Sequence, residues 1–245
     1  MFISHESICT PPRDQELWRY LDVAKFADLL VTKSLYFPTL AQLGDPWEGT
    51  LPDADAAAID SFRAKHCDEL SSSPEGRWIL EHPSRQRERA RVSCWHASNV
   101  ESHAMWGLHV DGHGLAVRTT VGRLIDAANA WHGGLVYIGL VDYVDLVDGR
   151  LANQLFPGAL LTKDVSYQHE SEVRALVLGE VDHQANGSTP SEGVRVTLSP
   201  PELLECVVPS PKSPDWVVRV IEWLLDANAC SVPLQESRFR RPARL

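Results

Sequence analysis

Tyr167-Gln-His-Glu-Ser-Glu-Val-Arg-Ala-Leu-Val-Leu178 sets a cluster of titratable side chains at the entrance of a short, largely apolar run. From Val173 onward, small and β-branched residues read as a buried strand. Successive side chains in a strand face opposite ways. Glu170, Glu172 and Arg174 therefore share one face if extended backbone begins by Glu170. With His169 beside them, they make either a salt-bridged patch or a chemical site.

Working outward, the chain reads as alternating short strands and helices. Leu17–Leu21 is a strand, Asp22 caps a helix carrying Val23, Phe26, Leu29 and Leu30, and Ser34–Pro38 is a second strand. The turn-rich Leu43–Gly49 loop carries Asp45, Trp47 and Glu48, residue types that a loop holds for a ligand. Alanine-rich periodicity over Pro52–Leu70, and Pro74 opening a helix towards Glu81 and Arg89, make 50–89 a helical insertion. Strands follow at Arg91–Trp95 and Leu115–Arg118, with a helix between them from Glu101 to His109. A helix over Val121–Trp131 leads into a long strand over Leu135–Tyr143. Beyond a turn-rich connector at His183–Pro190, strands are expected at Gly193–Leu198 and Leu204–Val208. Ser213 caps a last helix, Pro214–Ala229, whose buried face is expected to hold Trp216, Val217, Val220, Ile221, Trp223 and Leu224. Several strands follow one another directly. The expected architecture is one α+β domain, 1–245, with a central, mainly antiparallel sheet, the helical insertion, a C-terminal helix and a loose basic tail over 237–245.

The 245 residues suffice for a sizeable core. A net charge of −10 argues against a dedicated nucleic-acid binder, which needs a basic face. No tract of eighteen apolar residues predicts a membrane span, and Met1–Asp14 lacks the pattern of an export signal. Five scattered cysteines without a C-x-x-C pair point to a reducing cytoplasm. His96, His103, His109 and His113 lack metal-ligand spacing, so no metal is expected.

Four tryptophans, Trp18, Trp47, Trp95 and Trp106, fall at element ends or in loops beside polar neighbours; each alone reads as core, and the four together make a shared pocket more credible than any one of them does. In order, Leu17-Trp-Arg-Tyr20, Ser34-Leu-Tyr-Phe37, Asp45-Pro-Trp-Glu48, Ser93-Cys-Trp95, Met105-Trp106, Gly114-Leu-Ala-Val117 and His169-Glu-Ser-Glu-Val-Arg174 resemble a widespread bacterial and phage family catalogued only as a domain of unknown function. Arg19 on a first strand, Ser93 on a later one and Glu170-Ser-Glu172 entering a further strand resemble the ADP-ribosyltransferases of the arginine, serine, glutamate type. The Ser-Thr-Ser triplet of that type is replaced here by Ser93-Cys-Trp95.

That resemblance implies an enzyme that takes NAD and either transfers ADP-ribose to a protein or nucleic-acid acceptor or hydrolyses the dinucleotide. Glu172 would stabilise the oxocarbenium-like state, with Glu170 and His169 serving the acceptor. Arg19, Tyr20, Ser93, Trp95, Trp106, Arg118 and Arg174 would hold the dinucleotide, and Asp45, Trp47, Glu48 and His109 would border the substrate. Two other classes stand beside it. One is a non-catalytic binding module, which predicts mutual salt bridges among the charges from Glu170 to Arg174. The other is a hydrolase or nuclease working through the histidines and carboxylates.

Overall fold

The computed structural model describes residues 1–45, 47–80, 83–110, 112–150, 158–178 and 193–240. It is an α+β fold with a mainly antiparallel six-stranded sheet and a C-terminal helix. The strands are β1 (Glu16–Asp22), β3 (Arg91–Ala97), β4 (Gly114–Thr120), β5 (Leu135–Leu140), β8 (Glu172–Leu178) and β10 (Cys206–Pro209), in the order β10-β4-β1-β3-β8-β5. Two small two-stranded sheets pair β2 (Ser34–Phe37) with β9 (Val194–Thr197), and β6 (Asp142–Val144) with β7 (Thr162–Asp164).

The chain divides into two compact units. The first comprises Met1–Thr10, Phe37–Cys94 and His132–Val194. Its strands β5 and β8 pair antiparallel over six positions, from Leu135 opposite Leu178 to Leu140 opposite Val173. Every residue of β8 is buried, which its run of apolar side chains requires. Leu176 and Leu178 pack with Leu40, Val92, Tyr137 and Leu160 in one core. The outer side of β5 is paired by the N-terminal residues: Ile3 N–H donates to Val136 O at 2.9 Å and Leu140 N–H to Cys9 O at 2.9 Å. An edge paired in this way offers no template to another chain. The insertion holds α2 (Asp53–Lys65), α3 (Cys67–Leu70), α4 (Pro74–Leu80) and α5 (Pro83–Arg89); the expected Pro52–Leu70 helix is interrupted at His66.

The second unit comprises Pro11–Tyr36, Trp95–Trp131 and Arg195–Leu245. Here β1 pairs with β4 over seven positions, and β4 with β10 over four. Asp22 caps α1 (Val23–Thr32) as its sequence position suggests, accepting from Lys25 N–H at 2.7 Å, while Phe26, Leu29 and Leu30 are buried. Helix α6 (His103–His109) is capped by Ser102, and α7 (Val121–Ala130) by Thr120. A short helix, α8 (Pro200–Leu203), precedes β10 where the sequence reading has none.

The C-terminal helix, α9 (Asp215–Ala227), departs from expectation twice. Its N-cap is Pro214, and Ser213 Oγ donates instead to the carbonyls of Gly112 and Gly114. Its buried face is Val217, Ile221, Leu224 and Leu225, whereas Trp216, Val220 and Trp223 are exposed. The helix has two adjoining apolar stripes, and periodicity alone does not say which one the core takes. The tail is also different from expectation: Ser237 is buried and bonded, and 241–245 lie outside the described residues. So does the expected connector at 183–190.

Candidate functional site

The opening stretch does not enter its strand fully extended. Val165–Glu170 forms a 3-10 turn, Ser171 adopts a left-handed conformation with φ of 41°, and β8 starts at Glu172. Glu172 and Arg174 therefore share a strand face as the period of two requires, whereas Glu170 reaches the same place from the preceding turn.

Arg174 is the centre of the arrangement and has no exposed surface. Its Nε donates to Glu172 Oε1 at 2.7 Å and its Nη2 to Glu172 Oε2 at 3.1 Å. Nη2 also donates to Glu48 Oε2 at 2.8 Å, and Nη1 to the Leu160 carbonyl at 2.9 Å. The planar fork of guanidinium donors suits this sharing between two carboxylates. Lys163 on β7 adds a second cation: its ammonium lies 3.1 Å from Glu48, 2.7 Å from Glu170 and 3.6 Å from Glu172. It also sits 4.5 Å from the centre of the Tyr167 ring. Three carboxylates from two stretches of chain thus close on two cations.

Burial is what makes this network consequential. Glu48 and Glu172 side chains are 3% and 4% exposed, and Glu170, at 15%, is the most accessible of the three. Burial by itself would raise the Glu172 carboxyl, but Arg174, followed by Lys163, holds it below the usual carboxylate range. Burial would lower Lys163, and the surrounding glutamates outweigh that and raise it. Tyr143 accepts the Glu172 backbone N–H at 2.7 Å, and burial pushes its phenol up to about 12. The Cys94 thiol hydrogen-bonds Glu172, and burial, then Glu172, pushes it well above the ordinary thiol value.

The Asp45–Glu48 loop reaches the network because Glu48 is drawn inward. Asp45 caps the turn by accepting from Trp47 N–H at 2.9 Å, and Arg87 donates to the Asp45 carbonyl at 3.2 Å. Gly49 closes the turn with φ of 69°, where a Cβ would lie 2.9 Å from Arg87 Cγ. Trp47 is left 60% exposed. Tyr167 hydrogen-bonds Asp45, and the charge of Asp45 raises its phenol. His169 is exposed, with Nδ1 3.2 Å from the Ser166 carbonyl oxygen. Asp45, Trp47, Tyr167 and His169 are therefore the more solvent-facing neighbours of a closed ionic base.

The other residues singled out in the sequence have different settings. Ser93 is fully buried on β3, but its neighbour Cys94 is the residue that meets Glu172; alternation along the strand turns Ser93 to the opposite face. In the second unit, the Arg19 guanidinium lies 5.7 Å from the centre of the Trp95 ring, and Trp95 is 1% exposed. Arg118 pairs with Glu205 at 3.4 Å and lies over Trp18 at 5.8 Å. Tyr20 and Trp106 meet edge to face at 4.9 Å, and Trp106 Nε1 donates to Glu101 Oε1 at 2.6 Å. Glu101 also accepts from Ser237 Oγ and, at 2.9 Å, from Arg238 N–H, while Tyr20 OH accepts from Ser102 N–H at 2.8 Å. His109 is exposed at the end of α6. Three of the four tryptophans are thus packed and bonded within the second unit, and Trp47 belongs to the first.

Sequence reasoning missed Lys163, Tyr143 and the role of Glu101. Lys163 had one available signal, a lone cation after the apolar Ala159-Leu-Leu161. Tyr143 had none, because its partner Glu172 comes from a distant segment, and of the partners of Glu101 only Trp106 lies nearby in the sequence. Among the described residues, no group of three or more histidine, cysteine, aspartate or glutamate side chains is arranged to hold a metal ion. No protein-family model matches the chain, and no curated protein matches it.

Proposed function

We propose that this chain is a non-catalytic binding module in which the ionic network is a rigid support and Asp45, Trp47, Tyr167 and His169 face the ligand or protein partner. One observation carries this reading: Arg174 is wholly buried and divides its donors between Glu172 and Glu48, so neither carboxylate is left open to a substrate. A carboxylate that stabilises a developing cation must touch the reacting sugar. Such a network instead holds its loops in one arrangement, which lowers the ordering cost of binding at the surface above it. NAD is the first small molecule to try. In a thermal-shift titration, Trp47→Ala is expected to weaken any ligand-induced stabilisation without lowering the melting temperature of the free protein. Glu172→Gln is expected to lower that melting temperature. NAD consumption that Glu172→Gln abolishes in a folded protein would overturn the proposal.

A second reading, an ADP-ribosyltransferase-like enzyme with NAD as substrate, is favoured by one feature. Glu170 is the partly exposed member of a Glu-x-Glu pair whose other member is kept ionised. In that reading the bond between nicotinamide and ribose breaks beside Glu172, and Glu170 orients the acceptor. Its requirement is that Glu172 become accessible when NAD binds. Nicotinamide release by the purified protein, measured against Glu170→Gln and Glu172→Gln, separates the two readings.

A further inference from the structure

Residues 233–240 lie in a groove of the second unit and are tied there by bonds to distant parts of the sequence. Val207 on β10 donates its N–H to the Pro233 carbonyl at 3.0 Å and accepts from Gln235 N–H at 2.8 Å, so 233–235 runs parallel to β10 as an added edge strand. Ser237 Oγ and Arg238 N–H donate to the buried Glu101, Phe239 meets the His103 ring edge to face at 5.4 Å, and Arg240 reaches Asp215 at 2.6 Å. None of these anchors belongs to 228–232, the link that joins the segment to α9. The groove therefore fits this segment whichever copy of the chain supplies it.

The link is where local sequence and structure disagree. Over 215–232 the sequence holds no glycine and no proline, so nothing local stops a helix before Pro233. Yet α9 ends at Ala227, and Ala229 turns the chain back in a left-handed conformation with φ of 48°. Cys230 N–H donates to the Leu225 carbonyl at 2.9 Å and Ala229 N–H to that of Asp226 at 3.0 Å, the pair of bonds that ordinarily closes a helix on glycine. An alanine Cβ is strained in that position. The turn gains the burial of Cys230, but it is the docking of 233–240, not the choice of residue at the turn, that imposes it.

We infer that the chain forms a dimer by exchanging this segment, residues 233–240 of each copy lying in the Glu101 groove of the other while the link opens. Short strained links favour such exchange, because the open form releases the strain and remakes every anchor. If α9 continues through the link, five more residues at 1.5 Å each carry the segment about 7 Å from its own groove, towards that of a second copy. In the single chain the tether supplies an effective concentration in the millimolar range, on the order of 1 mM. A left-handed alanine is disfavoured by about a factor of ten and the exchanged dimer releases two, which brings half-dimerisation to about 10–100 µM. Single chains therefore prevail in dilute solution and dimers in concentrated solution.

The segment must leave its groove before it can be exchanged. The test is to hold the full chain at about 500 µM, well above that range, in urea just below its unfolding transition, return it to buffer, and read its mass by light scattering on a sizing column. A two-chain species is expected, and it should be absent from a sample treated in the same way at about 1 µM. Ala229→Gly lets the link turn without strain; it is expected to cut the dimer fraction at least about tenfold while leaving the melting temperature of the single chain the same or higher. Glu101→Ala, which removes the acceptor from the groove, is expected to abolish the dimer. A single-chain mass in every sample overturns the inference. A dimer that Ala229→Gly leaves unchanged, or one that is lost instead on replacing the exposed Trp216 and Trp223 by alanine, overturns it equally.

Discussion

Each unit buries a carboxylate at a point where separate segments meet, and the two solve the problem of its charge differently. In the first unit, Glu172 and Glu48 are neutralised by Arg174 and Lys163. In the second, the bonds at Glu101 come from the Trp106 indole, the Ser237 hydroxyl and the Arg238 amide. An ion network tolerates loss of a member poorly, because the remaining charges stay buried without their counterions. A carboxylate held by neutral donors loses hydrogen bonds instead, and its partners can be rehydrated if the held segment moves away. The first arrangement fixes a loop, and the second ties down a chain end.

The largest effect is therefore expected at Arg174. Arg174→Met leaves Glu48 and Glu172 buried together, and should cost about 3–5 kcal/mol in urea unfolding, the usual penalty for breaking a buried pair. Adding Glu172→Gln should recover part of that loss. Glu101→Ala should cost about 2–3 kcal/mol, as expected when buried donors lose their acceptor, and should speed tryptic cleavage at Arg238 by releasing the 237–240 segment. If Glu101→Ala proves as costly as Arg174→Met, the distinction between ionic and neutral support fails.

A pH series sharpens the same comparison. Glu172 is depressed in the fold, so its contribution is full above its unfolded value near about 4.3 and is lost as pH falls through the lower folded value. Acid unfolding midpoints should thus depend less on pH in Glu172→Gln than in the native sequence. Lys163 is raised, so its contribution is full below about 10.4 and is lost as pH rises through the higher folded value. Tyr143 acts in the same direction: the unfolded phenol ionises near about 10, while the folded one resists until about 12. Stability measured by urea midpoints should therefore fall on both flanks of a broad neutral plateau. The smallest effect belongs to Trp47→Ala, which at 60% exposure should change stability by less than about 0.5 kcal/mol and register only in binding.

Much of the framework was legible because it is local. Asp22 before an apolar stripe, the β-branched run after Glu172 and Pro74 at a helix start each carry their own signal over a few residues. Glu172 and Arg174 were readable as partners because a strand places i and i+2 on one face. Glu170 shares that face only if extended backbone begins there, and the left-handed Ser171 lies between it and the strand. Helix α9 was misread on its exposed side because an apolar residue looks the same in sequence whether the core, a partner or solvent meets it.

By itself the sequence determined the α+β class, the order of most elements and the clustering of charge at the mouth of β8, all of which follow from periodicity, caps and composition. Only the tertiary structure decided that Glu48 and Lys163 close over Arg174, that Cys94 rather than Ser93 faces Glu172, and that Glu101 holds Ser237. Those pairings join residues tens to more than a hundred positions apart or depend on which face of a strand is buried. Spacing along the chain carries no record of either, because long-range packing, not local propensity, brings such groups within bonding distance.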